Sequence, residues 1–247
     1  MTLLARSVGL GERVRQVSAT FEPGTITAIC GPNGAGKSSL LELLAGLTAP
    51  ERGSIEIDGA SLSLLKPRMR AQRIGYLPQD QGIAWDVAAR AVAELGRLPH
   101  RDTNAEPVEA AMAALDVAHL ATRRAQTLSG GEKARVLLAR VLAGEPEWVL
   151  ADEPLAALDL GHQHAMMRHL RALADGGIGV VVVLHDLAHA MNRADRVLVL
   201  DAGRGIVHGP PLEALSARII AQVWGIEAEW IGRRGEQALI TRSPVEA

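Results

Sequence analysis

At 247 residues, 48% of them hydrophobic and 22% charged, the chain is long enough to bury a sizeable core without disulfide staples. A net charge of -2 with both signs interspersed excludes a basic face for nucleic acid and a polybasic run for anionic lipid. The lone cysteine, Cys30, cannot form an internal disulfide, which fits a reducing compartment.

The N-terminal residues lack a basic region followed by a long apolar core, and the densest apolar run, residues 180–184, falls far short of the roughly 20 residues a membrane helix needs. The expectation is a soluble chain that acts at a membrane only through a partner. With one Phe and one Tyr, aliphatic side chains and alanine must fill the core.

In chain order, residues 1–24 and 54–59 predict a small antiparallel layer; the second segment alternates apolar with polar residues and stops at Asp58 and Gly59. Residues 25–30 read as a short buried strand and 38–45 as a helix with Leu40, Leu41 and Leu44 on one face, a glycine loop lying between. Residues 73–77 predict another strand, ended by Pro78. From residue 87 to about 120 the chain is alanine-rich with helical spacing broken at Pro99 and Pro107, the mark of a helical insertion. Beyond Leu128, the apolar positions Ala134, Leu137, Leu138, Val141 and Leu142 predict a helix closed by Gly144 and Pro146. Residues 148–151 and 179–184 are continuous apolar runs suited to strands buried on both faces of a parallel sheet, with a helix over 160–174 between them.

The loop Gly31, Pro32, Asn33, Gly34, Ala35, Gly36, Lys37, Ser38 satisfies GxxxxGK[ST] after a strand and before a helix. Its glycines let backbone N–H groups converge on a phosphate, the helix N-terminus adds a positive dipole, Lys37 reaches phosphate oxygens and the Ser38 hydroxyl can ligate Mg²⁺. Both flanks argue against a mere Gly-rich turn with a solvated lysine. Asp152 and Glu153 follow an apolar strand, where α/β folds place ligands. Asp152 would hold Mg²⁺ through water and Glu153 would be the general base, with Pro154 biasing it toward an extended conformation. Alone, the pair would read as an acidic turn. Ser129, Gly130 and Gly131 precede a strong helix and read as a cap with flexible glycines; the same geometry offers a second anion cradle. His162, His164 and His169 invite a metal reading, but only His162 and His169 could share a helix face, and a solvated surface is the plainer account.

Taken together, these residues make the chain resemble the ATP-binding subunit of an ABC transporter. Six motifs stand in family order: Walker A at 31–38, the Q-loop Gln79, the signature from Leu128 to Glu132, Walker B ending at Asp152 and Glu153, the D-loop Leu158 and Asp159, and the switch His185. The resemblance covers essentially the whole chain and implies an α/β fold: a P-loop NTPase (RecA-like) core with an N-terminal antiparallel β layer and an inserted α-helical subdomain. Residues 1–80 and 146–247 would form the core and 81–145 the helical subdomain of a single unit, 1–247. It implies ATP hydrolysis with Mg²⁺, in which Lys37, Glu153 and His185 are catalytic and Ser38, Gln79 and Asp152 serve the metal. The remaining nucleotide contacts would come from the Walker A loop with Ser39, from Gln79, from Ser129, Gly130, Gly131 and Glu132, and from Asp159. Two subunits would face head to tail, the signature of one closing on the γ-phosphate held by the other, with Asp159 crossing the interface and His185 bonding the γ-phosphate. The plainer alternative for His185 is a strand-end histidine packed against Asp186, itself an N-cap candidate.

One departure concerns the base. Family members carry an N-terminal aromatic that stacks on adenine, but ungapped counting from Gly24 lands on Val8 and residues 1–20 hold no aromatic. Aliphatic contact, or an arginine such as Arg13 or Arg15, is left to hold adenine. Neither fused membrane helices nor a coiled coil accompanies the motifs, which implies a separate ATPase subunit at the cytoplasmic face of the inner membrane, a homodimer serving an integral membrane permease and, indirectly, a periplasmic binding protein. Residues 95–101 and Gly209, Pro210, Pro211 resemble the ATPases of iron-siderophore, haem and cobalamin importers. The alternative is a soluble ABC-type ATPase that remodels a protein or metal-cluster assembly.

Overall fold

The computed structural model describes residues 2–80, 82–83, 86–156 and 158–244; the expected limits at 1, 81 and 247 lie outside the described residues. The N-terminal third runs β1 (Leu3–Leu10), β2 (Val14–Phe21), β3 (Ile26–Cys30), α1 (Lys37–Ala45), β4 (Arg52–Ile57) and β5 (Ala60–Ser61). Then come α2 (Pro67–Arg73), β6 (Ile74–Leu77) and three helices, α3 (Ala89–Glu94), α4 (Glu106–Ala114) and α5 (Gly130–Leu142). The rest alternates: β7 (Trp148–Asp152), α6 (Leu160–Asp175), β8 (Gly179–Val183), α7 (Leu187–Arg193), β9 (Arg196–Asp201) and β10 (Arg204–Gly209). Two helices, α8 (Pro211–Ala214) and α9 (Ala217–Trp224), and a hairpin of β11 (Ile226–Ile231) with β12 (Ala238–Pro244) close the described chain.

One sheet has the order β2-β1-β4-β5 and is antiparallel; the other has the order β10-β9-β3-β8-β7-β6, parallel except for β10 at its edge. The continuous apolar runs follow from this layering. Val180 and Val182 pack on one face of the central sheet with α6 and the inserted helices, while Val181 and Val183 pack on the other with α1 and the antiparallel layer. Each buried side chain of this size stabilises by about 1.5–3 kcal/mol, so a strand covered on both faces needs no polar alternation. Trp148 shows how tight the fit is: a Cβ on Gly179, its partner on β8, would lie 2.3 Å from the indole.

Parallel register is what assembles the site. Ile29 pairs with Val183, Asp152 with Val183 and Leu77 with Ala151, so β3, β6, β7 and β8 end together along one edge of the sheet. The segments leaving that edge carry residues 31–38, Gln79, Glu153 and His185. The helical insertion is anchored by Arg97, 7% exposed, whose guanidinium donates to the Ala143 carbonyl at 2.9 Å, to Glu145 at 2.7 Å and to both carboxylate oxygens of Asp102. No helix among the described residues is long and apolar enough to cross a membrane.

Candidate active site

The loop between β3 and α1 is wedged into the fold at two glycines. A Cβ on Gly31 (φ 152°) would lie 2.1 Å from the Leu200 carbonyl oxygen, and one on Gly36 (φ 94°) would lie 2.0 Å from that of Arg13. Gly36 is the N-cap of α1 and no side chain caps the helix, so the N–H groups of Lys37, Ser38 and Ser39 have no partner within it, a ready anion site. Lys37 is buried and its ammonium donates to the Gly31 and Pro32 carbonyls, both at 2.9 Å. Burial pulls its pKa down, and the charge of Glu153 opposes that shift. Cys30, directly before the loop, is buried and its thiol is pushed up to about 12 by burial, which keeps it neutral and inert.

Ser38 Oγ donates to Asp152 Oδ1 at 3.1 Å. Asp152 is 3% exposed, and burial raises its carboxyl above the ordinary value while the Ser38 hydroxyl bond opposes the shift. A hydroxyl beside a carboxylate, both hard oxygen donors next to a phosphate loop, fits Mg²⁺.

Glu153 departs from the expected extended conformation: its φ is 47°, in the left-handed region. Pro154 disfavours the right-handed helical region for its predecessor, and the chain escapes instead into a turn in which Ala156 N–H donates to the Glu153 carbonyl at 3.0 Å. The carboxylate then sits between two partners. His185 Nε2 donates to Oε1 at 2.5 Å and Gln79 Nε2 to Oε2 at 2.8 Å, which leaves Glu153 14% exposed and His185 47% exposed. Asp186 does cap α7, accepting from Ala188 N–H at 2.7 Å, while His185 turns toward Glu153.

The segment read as a second cradle forms a capping box. Ser129 Oγ accepts from Glu132 N–H at 3.2 Å and Ser129 N–H donates to Glu132 Oε2 at 2.8 Å, a bond that lowers the Glu132 pKa. Glu132 also pairs with Arg123, so its carboxylate serves the helix start. Asp159 caps α6, accepting from the backbone N–H and the ring Nδ1–H of His162, each at 2.8 Å. The structure thus brings together Lys37, Ser38, Gln79, Asp152, Glu153 and His185. Among the described residues, no hydrogen bond joins Ser129, Gly130, Gly131, Glu132 or Asp159 to that group.

One sequence reading changes in part. His164 is exposed, as a solvated helix surface requires, but His162 and His169 are half-buried: the His162 ring edge packs on Gly131, and burial, with Arg135 and Arg168, lowers the His169 pKa. No metal-binding cluster is formed among the described residues. Val8 is fully buried in β1 and cannot meet a base. Arg15 is paired with Glu12, whereas Arg13 is exposed, has no ion pair among the described residues and abuts Gly36 through its backbone. Gln163 went unnoticed in the sequence, where a glutamine in an amphipathic helix carries no signal; its amide donates to the Leu158 carbonyl at 3.0 Å.

A phosphate loop, a Ser–Asp oxygen pair and a doubly held glutamate along the carboxyl edge of one parallel sheet define a P-loop nucleoside triphosphatase. The ABC transporter family profile matches residues 14–156, and the chain belongs to that family. It is 48% identical over 214 residues to the hemin import ATP-binding protein HmuV of Nocardia farcinica (strain IFM 10152), covering 85% of this chain and 74% of that protein. The protein of the same name from Myxococcus xanthus (strain DK1622) is 43% identical over 242 residues, 92% of this chain and 91% of its own. The fold superposes on an inward-facing metal-chelate type ABC transporter with a TM-score of 0.84 at 25% identity, covering 99% of this chain and 98% of that one. The dimeric MJ0796 bacterial ABC transporter cassette matches with a TM-score of 0.76 at 26% identity over 85% of this chain and 98% of its own. The chain is an ATP-hydrolysing enzyme of this family.

Proposed function

We propose that the protein drives import of haem through a separate membrane permease, working as a head-to-tail homodimer at the cytoplasmic face of the inner membrane with a periplasmic binding protein upstream. The relatives named for hemin import support the cargo and direction; the dimeric cassette supports the pairing. Residues 1–80 and 146–247 form the nucleotide-binding core and 81–145 the helical arm of one functional unit.

The observation that carries the mechanism is the position of Glu153 between Gln79 and His185. The Walker A N–H groups cradle the β-phosphate, and Lys37 leaves the Gly31 and Pro32 carbonyls for the β- and γ-oxygens. Ser38 and Asp152, with Gln79 beside them, would hold Mg²⁺, which would supply positive charge against the phosphate oxygens. Glu153 takes the proton of the attacking water, and His185 aligns Glu153 and donates to the γ-phosphate. Ser129, Gly130 and Gly131 close on the nucleotide of the partner subunit. Arg13 is the adenine contact, its planar guanidinium substituting for an aromatic.

A groove of about 450 Å³ between core and arm, lined by Tyr76, Leu95, Leu98 and Arg140 among others, is the permease face. Leu98 is 70% exposed there. Glu153→Gln tests the mechanism: ATP binding persists, turnover falls by at least a hundredfold and an ATP-bound dimer accumulates in sedimentation velocity. Wild-type turnover would remove Glu153 from its role.

A further inference from the structure

The start of α6 makes contacts that its own capping does not require. Asp159 needs only the His162 backbone N–H to cap the helix, yet the His162 ring also donates Nδ1–H to the same oxygen at 2.8 Å. That second bond fixes the ring, and the opposite ring edge lies against the buried Gly131: a Cβ there would sit 1.9 Å from His162 Cδ2 and 2.5 Å from Nε2. A residue of the signature cradle is therefore in van der Waals contact with the residue that orients Asp159.

Gln163 extends the connection. Its Nε2 donates to the Leu158 carbonyl at 3.0 Å and the Leu155 carbonyl at 3.5 Å, spanning the loop that leaves Glu153. Its Oε1 accepts from His189 Nε2 at 3.2 Å, in the first turn of the helix that follows His185. That loop has two backbone bonds of its own, Ala156 N–H to Glu153 and Leu158 N–H to Leu155, among the described residues. Gln163 ties the Leu155 and Leu158 carbonyls of that loop to α6.

We propose that His162 and Gln163 are a positioning pair linking the two ends of the enzyme's chemistry. His162 senses the signature cradle, and Gln163 sets the Glu153 loop and the approach of α7. The inference rests on the head-to-tail reading, in which Gly131 serves the partner's nucleotide and Glu153 the chain's own. Closure of the cradle on one ATP then presses on His162 and, one residue along a rigid helix, on the loop aligning the carboxylate at the other. Each site acquires a physical reason to report on its neighbour, because packed side chains transmit displacement.

The test uses His162→Ala and Gln163→Met on the full chain. In a Glu153→Gln background, ATP must first produce a dimer; if it does not, the head-to-tail reading falls, whatever the pair does. Given dimerisation, His162→Ala should need at least tenfold more ATP to dimerise. In the otherwise unaltered chain both variants should lose roughly tenfold or more in kcat. Nucleotide affinity of the monomer and the thermal midpoint should stay unchanged, and the Hill coefficient for ATP should fall toward 1 in His162→Ala. Wild-type kcat per folded molecule in either variant, or a wild-type ATP response of dimerisation in His162→Ala, would overturn the pairing. Gln163→Met preserves helix length and bulk, so it keeps the question open to refutation even if His162→Ala folds poorly.

Discussion

Asp152 and Lys37 are buried ionisable groups, and burial works against the charge of each. The Asp152 carboxyl is held above its ordinary 3.8 by burial, so ionising it works against the fold once pH rises through its folded value. Replacing it with Asn keeps an acceptor for Ser38 and removes the charge. Asp152→Asn should therefore raise the thermal midpoint of the nucleotide-free protein at pH 7 by a few degrees in calorimetry, while ATP hydrolysis is lost. The gain should shrink as pH falls through the raised folded value and vanish below 3.8, where the carboxyl is protonated in both states. A lower midpoint at pH 7 would mean that burial is not the dominant influence on this carboxyl. The placement of Asp152 at the end of a buried strand and of Lys37 at the start of a helix was readable from motif and flank. The backbone at Glu153 was not: Pro154 forbids one region, and the choice between the remaining ones is made by the turn closing on Ala156.

At the scale of elements, the helical arm depends on one guanidinium. Arg97 joins the segment after α3 to the end of α5 through Ala143, Asp102 and Glu145. Asp102 and Glu145 are 41% and 60% exposed, so they rehydrate when Arg97 is removed and the loss is limited to packing and hydrogen bonds. Arg97→Met should destabilise by about 1–3 kcal/mol, measured by urea unfolding, with nucleotide binding at the core retained. An unchanged midpoint would show that the arm is held by its apolar contacts alone. Element existence was legible here, since alanine-rich helical spacing and the proline breaks announced short helices. The anchor was hidden: an arginine in a loop looks solvated until the fold folds carboxylates and a carbonyl around it.

At the scale of the molecule, the groove between core and arm is lined by three exposed leucines, Leu47, Leu95 and Leu98, a grouping of the kind that marks contact surfaces. Leu98→Glu should leave basal ATP hydrolysis within twofold of wild type and abolish capture of the multi-helix permease from detergent extracts. Retained capture would move the permease face elsewhere. The exposed leucine could not be distinguished in sequence from the buried ones around it, because exposure is set by which neighbours arrive from distant segments.

By itself, the sequence determined what depends on spacing along the chain. The Walker A loop needs consecutive residues of particular shape, the parallel strands need unbroken apolar runs because both faces are covered, and the capping box needs Ser129 and Glu132 three apart. Tertiary structure decided what depends on convergence. Glu153 meets Gln79 and His185 only because the parallel strands β6, β7 and β8 end at a common edge, and His162 meets Gly131 only because α6 begins beside α5. Local patterns are fixed by short-range sterics and burial; contacts between residues dozens of positions apart are fixed by strand register and packing, which no single window of sequence contains.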